Sequence, residues 1–170
     1  DTEWVITNWD NYPGINKNCN IKTREDFFTE FKDLIIKNQG KRIIVALHHP
    51  IISSGTHAGF SSARSHLFPF NSKVPVPVVA SFLNVLRSSS GASPADINNR
   101  HYADLANRLK SIVQDKENII FVSGHDHNLQ YHEDGNLRQI ISGAGSKIDP
   151  STIIEKTDFS YGGSGFAVLN

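Results

Sequence analysis

Residues 118–132 read Asn-Ile-Ile-Phe-Val-Ser-Gly-His-Asp-His-Asn-Leu-Gln-Tyr-His, and the reading of the fold turns on them. The apolar, largely β-branched run Ile119 to Val122 stops at Ser123 and Gly124 and hands over to two histidines, His125 and His127. Such a run reads as a buried strand ending in a site. In an extended chain, residues i and i+2 share a face, so both imidazoles are expected on one side, with Asp126 pointing elsewhere. Gly124 is expected where the backbone turns or approaches something closely. Imidazole is the commonest metal-binding side chain, so His125 and His127 are candidate ligands. Taken alone, a His-x-His pair is also found among solvated loop residues.

A second apolar run, Ile43 to Leu47, follows Lys41 and Arg42 and ends in His48-His49-Pro50. In open α/β sheets, ligands lie beyond the carboxyl ends of the strands. Two strand ends bearing imidazoles can therefore meet at one site, which makes His48 a third candidate ligand. The plainer alternative has His48 capping a strand and His49 exposed.

Each strand is preceded by a helical pattern. Phe27, Phe28, Phe31, Leu34 and Ile35 recur at three- and four-residue spacing and predict an amphipathic helix over 24–38. Thr23 is its N-cap, Glu25 and Asp26 suit its first turn, and Gly40 is its stop. Tyr102, Leu105, Leu109, Ile112 and Val113 mark another helix, capped by Asn98 or Asn99, with Asp104, Arg108 and Lys110 on a solvated face. Helix then strand, twice over, fits neighbouring strands of one sheet joined by helical crossovers. Beyond the histidines, Leu129–His132 and Leu137–Ile141 flank Asp134-Gly135, a hairpin signal. Gly165 to Leu169 reads as a final strand, and Trp4-Val5-Ile6 as the end of an earlier one. The class is α/β.

Residues 50–99 read differently, as a long irregular loop. Ser, Gly and Pro cluster at 52–59 and 88–94, and Pro75 and Pro77 argue against a central strand. Val79 to Leu86 is a short-helix candidate. Long loops inside compact domains are usually functional or mobile, and this one is expected to wall a substrate entrance. His57 sits in it between Gly55 and Gly59, either as a working residue or as an exposed loop histidine. His66, His101 and His132 carry only the plain reading of an exposed histidine. Arg64 is a possible phosphate contact or ordinary surface.

The 170 residues, 38% hydrophobic, suffice to bury a core in one domain. Lysine plus arginine and aspartate plus glutamate number 17 each, which gives no reason to expect a nucleic-acid surface. No stretch of sequence is long and apolar enough for a membrane span. A single cysteine, Cys19, excludes an intrachain disulfide. The absence of methionine and the start at Asp1 read as a piece of a longer protein.

Val45-x-x-His48 followed by Gly124-His125-Asp126-His127 resembles the C-terminal motif pair of calcineurin-like metallophosphoesterases. Gly-His-Asp-His-Asn-Leu-Gln-Tyr at 124–131 and Ile-Ser-Gly-Ala-Gly-Ser at 141–146 are similar to the purple acid phosphatase branch in wording and spacing. His57, nine residues past His48, matches that branch's active-site histidine. The similarity spans about 41–169. It implies the C-terminal half of a single domain with an αββα architecture, a mixed β-sheet sandwich flanked by helices. It further implies metal-dependent hydrolysis of a small-molecule phosphoester in the intact parent, with two metal ions (Fe, Zn or Mn) at the site. His48 and His125 would hold one ion and His127 the other. His57 would act catalytically, protonating the leaving group or binding the phosphate. The family's Asp-x-His, Gly-Asp-x-x-Asp/Tyr and Gly-Asn-His motifs are not found in this sequence, so a missing N-terminal half would be needed to complete the site. This piece alone is expected to bind metal weakly and to have little activity. The ancestry leans toward an exported protein, periplasmic or extracellular. Two other classes stay open: a binding domain with one structural zinc on His48, His125 and His127, and an inert domain gripping a partner through residues 50–99.

Overall fold

The computed structural model describes residues 1–61, 66–68, 74–156 and 158–169, with only the backbone at 87–89. Arg64 lies outside the described residues. Strand β1 (Ile43–Ala46) and strand β2 (Ile119–Ser123) lie where β-branched residues leave little χ1 freedom for helix. They pair in parallel, Ile43 opposite Ile119 and Ala46 opposite Val122. The Asp134-Gly135 signal makes its hairpin: β3 (Leu129–Asp134) runs antiparallel to β4 (Leu137–Ser142), and Gly135 takes the left-handed φ of 61° that the turn requires. β4 also pairs in parallel with β2. A short strand β5 (Phe159–Tyr161) joins the far side of β3, giving the order β1-β2-β4-β3-β5.

The helices follow their caps. Before α2 (Arg24–Lys37), the Thr23 hydroxyl accepts from Asp26 N–H while the Asp26 carboxylate accepts from Thr23 N–H, a reciprocal capping box. Helix α4 (Arg100–Val113) is capped by Asn99, which accepts from His101 N–H. Its Arg108 is less solvated than its spacing implied: the guanidinium stands 3.8 Å over the Phe28 ring and bonds Glu25 at 2.7 Å.

Three expectations change. Trp4-Val5-Ile6 is not strand: a π-helical turn (Trp4–Asn8) runs into the short helix α1 (Trp9–Asn11), burying Val5 and Ile6. Residues 165–169 form no strand, and β5 takes the open side of β3 instead. The segment 50–99 is less irregular than its composition, because α3 (Pro77–Ser90) occupies it, with Pro77 in the first turn where its missing N–H costs nothing.

One face of the sheet is the core. Ile119, Phe121 and Leu137 meet Phe28 and Ile35 of α2 and Tyr102, Leu105, Leu109 and Val113 of α4. Burying one such large side chain stabilises by about 1.5–3 kcal/mol. The opposite face is uncovered over β1 and β2, where Ile44 is 60% exposed. A hollow of about 620 Å³ lies there, lined by Arg42, Ile44, Ile120, Arg138 and Leu169 among others. Among the described residues no helix is long and apolar enough to cross a membrane.

Candidate functional site

Because β1 and β2 are parallel and in register, their carboxyl ends open at the same level. His48 follows the last residue of β1 by two positions, and His125 follows Ser123 of β2 by two. The result is contact between residues 77 apart in sequence: His48 Nε2 lies 3.2 Å from His125 Nδ1. The expected strand period does not carry past Ser123. The chain leaves β2 there, and His125 adopts φ 67°, the only positive φ at a non-glycine among the described residues. A left-handed residue with a Cβ costs roughly 1–2 kcal/mol, and such strain gathers at functional sites. The turn also separates the two histidines of the motif. His125 faces His48, whereas His127 Nδ1 pairs with Asp149 at 2.7 Å.

The hydrogen bonds of His125 decide which nitrogen faces His48. Its Nε2 lies 2.8 Å from the Ala95 carbonyl, an acceptor only, so Nε2 carries the proton and Nδ1 presents its lone pair toward His48. Burial lowers the His125 pKa despite that bond, and the nearby His57 and His48 add to the effect, so the ring is held neutral. Two imidazole nitrogens on one tetrahedral zinc-like ion, each about 2.0–2.1 Å from it, stand about 3.3–3.4 Å apart. The observed 3.2 Å fits that spacing.

His49, expected to be exposed, is 1% exposed. The Thr2 hydroxyl accepts its backbone N–H at 3.1 Å and meets its Nδ1 at 2.9 Å, while Nε2 is 3.5 Å from Glu3. Burial, aided by His125, His48 and His57, lowers its pKa to about 3. Ligand atoms of His48, His49 and His125 lie within 4.8 Å of one another, making a three-histidine group. Nitrogens on one ion cannot stand more than about 4.2 Å apart at normal zinc distances, so at the outer limit of that range His49 would have to shift to join. Tyr102, whose hydroxyl donates to the Pro50 carbonyl at 2.7 Å, closes the floor of the group, and burial raises its pKa.

His57 packs its ring 4.4 Å from that of His125, tilted by 38°. Its loop is pinned from beneath by Asp126. This carboxylate is fully buried, accepts from the Ser53 hydroxyl and reaches the His57 N–H at 3.4 Å. The middle residue of the motif therefore locates the loop that carries His57. Close approach occurs at glycines other than Gly124, where a Cβ would meet nothing within 4 Å. A Cβ on Gly143 would fall 2.0 Å from the Asp126 carbonyl oxygen, and one on Gly55 2.6 Å from its carboxylate.

On the flank, Asp149 holds His127 and also Lys147, at 3.2 Å. Burial pushes its carboxyl up, but the His127 and Lys147 partners outweigh this and keep it below the usual range. His132 is structural and lies buried in β3, not exposed in a loop. It is buried between Asp158 (2.9 Å at Nδ1) and Gln130 (2.6 Å at Nε2), tying β3 to the segment before β5. His101 bonds Asp10, and His66 bonds Ser81.

Of the predicted site residues, the fold thus joins His48, His125 and His57 and sets His127 apart on Asp149. The sequence reading missed His49, Ala95, Asp96 and Asp149. Nothing local marks them, since each acts through a partner 20 or more residues away.

An α/β chain with a five-stranded mixed sheet flanked by helices, carrying histidines at its parallel strand ends, is the class that these observations define. No protein-family model matches the chain, and no curated protein matches it. Among solved structures, it is similar to "GAP50 the anchor in the inner membrane complex of Plasmodium", with 20% identity and a TM-score of 0.50 over 88% of this chain. The chain spans 36% of that protein's length. At such identity the likeness speaks to the fold alone.

Proposed function

We propose that the chain is the C-terminal part of a metal-dependent phosphoesterase of the calcineurin-like, purple-acid-phosphatase-like kind. One observation carries the proposal: His48 Nε2 and His125 Nδ1 stand 3.2 Å apart, with the other nitrogen of His125 committed to a carbonyl. Imidazole donors suit zinc, iron or manganese better than magnesium or calcium. Bound there, a metal pair would supply charge neutralisation for the phosphoryl oxygens and a nucleophile usable near neutral pH. The chain's own residues would orient it. His48 and His125 face one position, His127 stands with Nδ1 fixed by Asp149, and His57 is the proton donor beside the leaving group. The uncovered apolar face over β1 and β2 supports the finer architecture, a sandwich in which a second sheet from elsewhere in the parent covers Ile44 and Ile120, because parallel strands are normally covered on both faces.

The group formed by His48, His49 and His125, which His49 would join on one ion after a small shift, favours a second reading, a partner-binding domain stabilised by one structural zinc. The two readings separate on measurement. Zinc titrated into this chain should bind weakly, with His48→Ala and His125→Ala each abolishing binding. The intact parent with zinc, iron or manganese should hydrolyse an aryl phosphate. Stoichiometric tight zinc with a chelator-sensitive melting temperature would favour the structural site. A metal-independent parent would remove the phosphoesterase reading, and robust turnover by the 170 residues alone would overturn the need for a second half.

A further inference from the structure

The long segment between β1 and α4 does more than border the site, because its last residues touch two of the site's rings at once. The Ala95 carbonyl takes the Nε2 proton of His125 at 2.8 Å, and the next residue, Asp96, places Oδ1 3.1 Å from His57 Nδ1. Asp96 is 3% exposed. Its stretch is locked by main-chain bonds: Asp96 N–H to the Ser93 carbonyl, Ile97 N–H to the His57 carbonyl at 2.9 Å, and Asn99 N–H to the Asp96 carbonyl at 2.8 Å. The Ile97 bond ties backbone to backbone beside the Asp96–His57 contact, so His57 is gripped at two points. With its N–H on Asp126, its main chain is fixed on both sides.

We propose that Ala95 and Asp96 are the positioning residues of the site, a carbonyl and a carboxylate on adjacent residues that set opposite tautomers on two rings. His125 is held with its proton on Nε2 and its lone pair on Nδ1, turned toward His48. His57 is held with its proton on Nδ1, leaving Nε2 toward a substrate, where it must first take up a second proton to give one to a leaving group. An imidazole's working nitrogen is chosen by what its other nitrogen bonds, and here both choices are made by one dipeptide. The use of the ordered rings rests on the phosphoesterase reading. The tautomers do not, since they belong to the metal-free chain.

The test is long-range proton–nitrogen correlation of the imidazoles at pH 8 with chelator present, His57→Ala and His125→Ala providing the assignments. The native chain should show His57 mainly as the Nδ1–H form and His125 mainly as the Nε2–H form. In Asp96→Asn, where the side-chain amide can donate to Nδ1, the His57 tautomer ratio should move by about tenfold or more, the scale a charge-assisted hydrogen bond supports. His125, whose partner is main chain, should stay as it was. A role for Asp96 in stability alone would lower the melting temperature without moving the ratio. The proposal is overturned if His57 is an Nε2–H ring or His125 an Nδ1–H ring in the native chain, or if the ratio survives Asp96→Asn. Should that variant not fold, the native tautomers decide alone. Tautomers as stated in a chain whose intact parent hydrolyses phosphoesters without metal would sink the phosphoesterase reading and leave this one standing.

Discussion

Acid should weaken this fold through His49 in a way one substitution can isolate. An unfolded histidine protonates near 6.5, whereas His49 in the folded chain resists the proton down to about 3. The unfolded state therefore binds more protons throughout that window, and stability falls as pH falls across it, at about 1.4 kcal/mol per pH unit. The loss is about 1.4 kcal/mol by pH 5.5 and about 2.7 kcal/mol by pH 4.5, relative to pH 8. Nothing is gained back, because Asp149 and Asp158, both held below the usual carboxylate range, lose their own contributions only as pH falls through their folded values. The comparison is native chain against His49→Phe, which keeps a ring in the hole and removes the titrating group. Urea unfolding with chelator at pH 8, 6.5, 5.5 and 4.5 gives both slopes. The variant starts lower, since the Thr2 hydroxyl loses its imidazole partner and keeps only the backbone N–H of residue 49, but its stability should fall more gently by about one proton's worth between pH 6.5 and 4.5. Parallel curves would refute the reasoning, because they would mean that His49 takes up its proton without unfolding.

The two glycines of the motif region should part company. Gly143→Ala drives a methyl into the Asp126 carbonyl and should cost roughly 1–3 kcal/mol in urea unfolding, whereas Gly124→Ala meets open space and should be nearly neutral. Thr23→Ala removes half of the capping box of α2 and should cost about 1 kcal/mol, or roughly 2–4 °C of melting temperature at this size. Phe121→Ala, at a fully buried position in β2, should cost about 3–5 kcal/mol, read by the same unfolding curves. His127→Ala should leave the zinc affinity of the His48–His125 pair within a factor of about three in a calorimetric titration, an interaction below about 0.7 kcal/mol. A full loss would put all three on one ion.

Local periodicity carried most of the fold. Ile43 to Val45 and Ile119 to Val122 declared parallel strands, of which β2 buries alternate residues and β1, read as buried, alternates between half-buried and exposed; the aromatic spacing of α2 declared a helix, and Asp134-Gly135 declared a hairpin. Parallel pairing then did the rest for the site, since it puts the residues after Ala46 and after Ser123 side by side. What stayed hidden depends on partners far along the chain. His49 is buried because Thr2 waits for it, and no pattern around 49 announces a hydroxyl 47 residues away. The same-face argument for His125 and His127 assumed that the strand continued. Nothing in Ser123-Gly124 says that the following histidine, not the glycine, takes the left-handed turn. Gly165 to Leu169 has the composition of a strand, but composition does not say which sheet edge is free, and Phe159–Tyr161 occupies the one beside β3.

The backbone of His125 carries a consequence for selection. Glycine or asparagine would adopt φ 67° with less strain, so a library ranked only by resistance to heat should drift away from histidine at 125. A screen that also demanded retention of zinc should hold it in place. If His125 holds a metal as proposed, position 125 is where the demands of folding and of chemistry pull in opposite directions, and the residue enriched there under each regime would test that proposal.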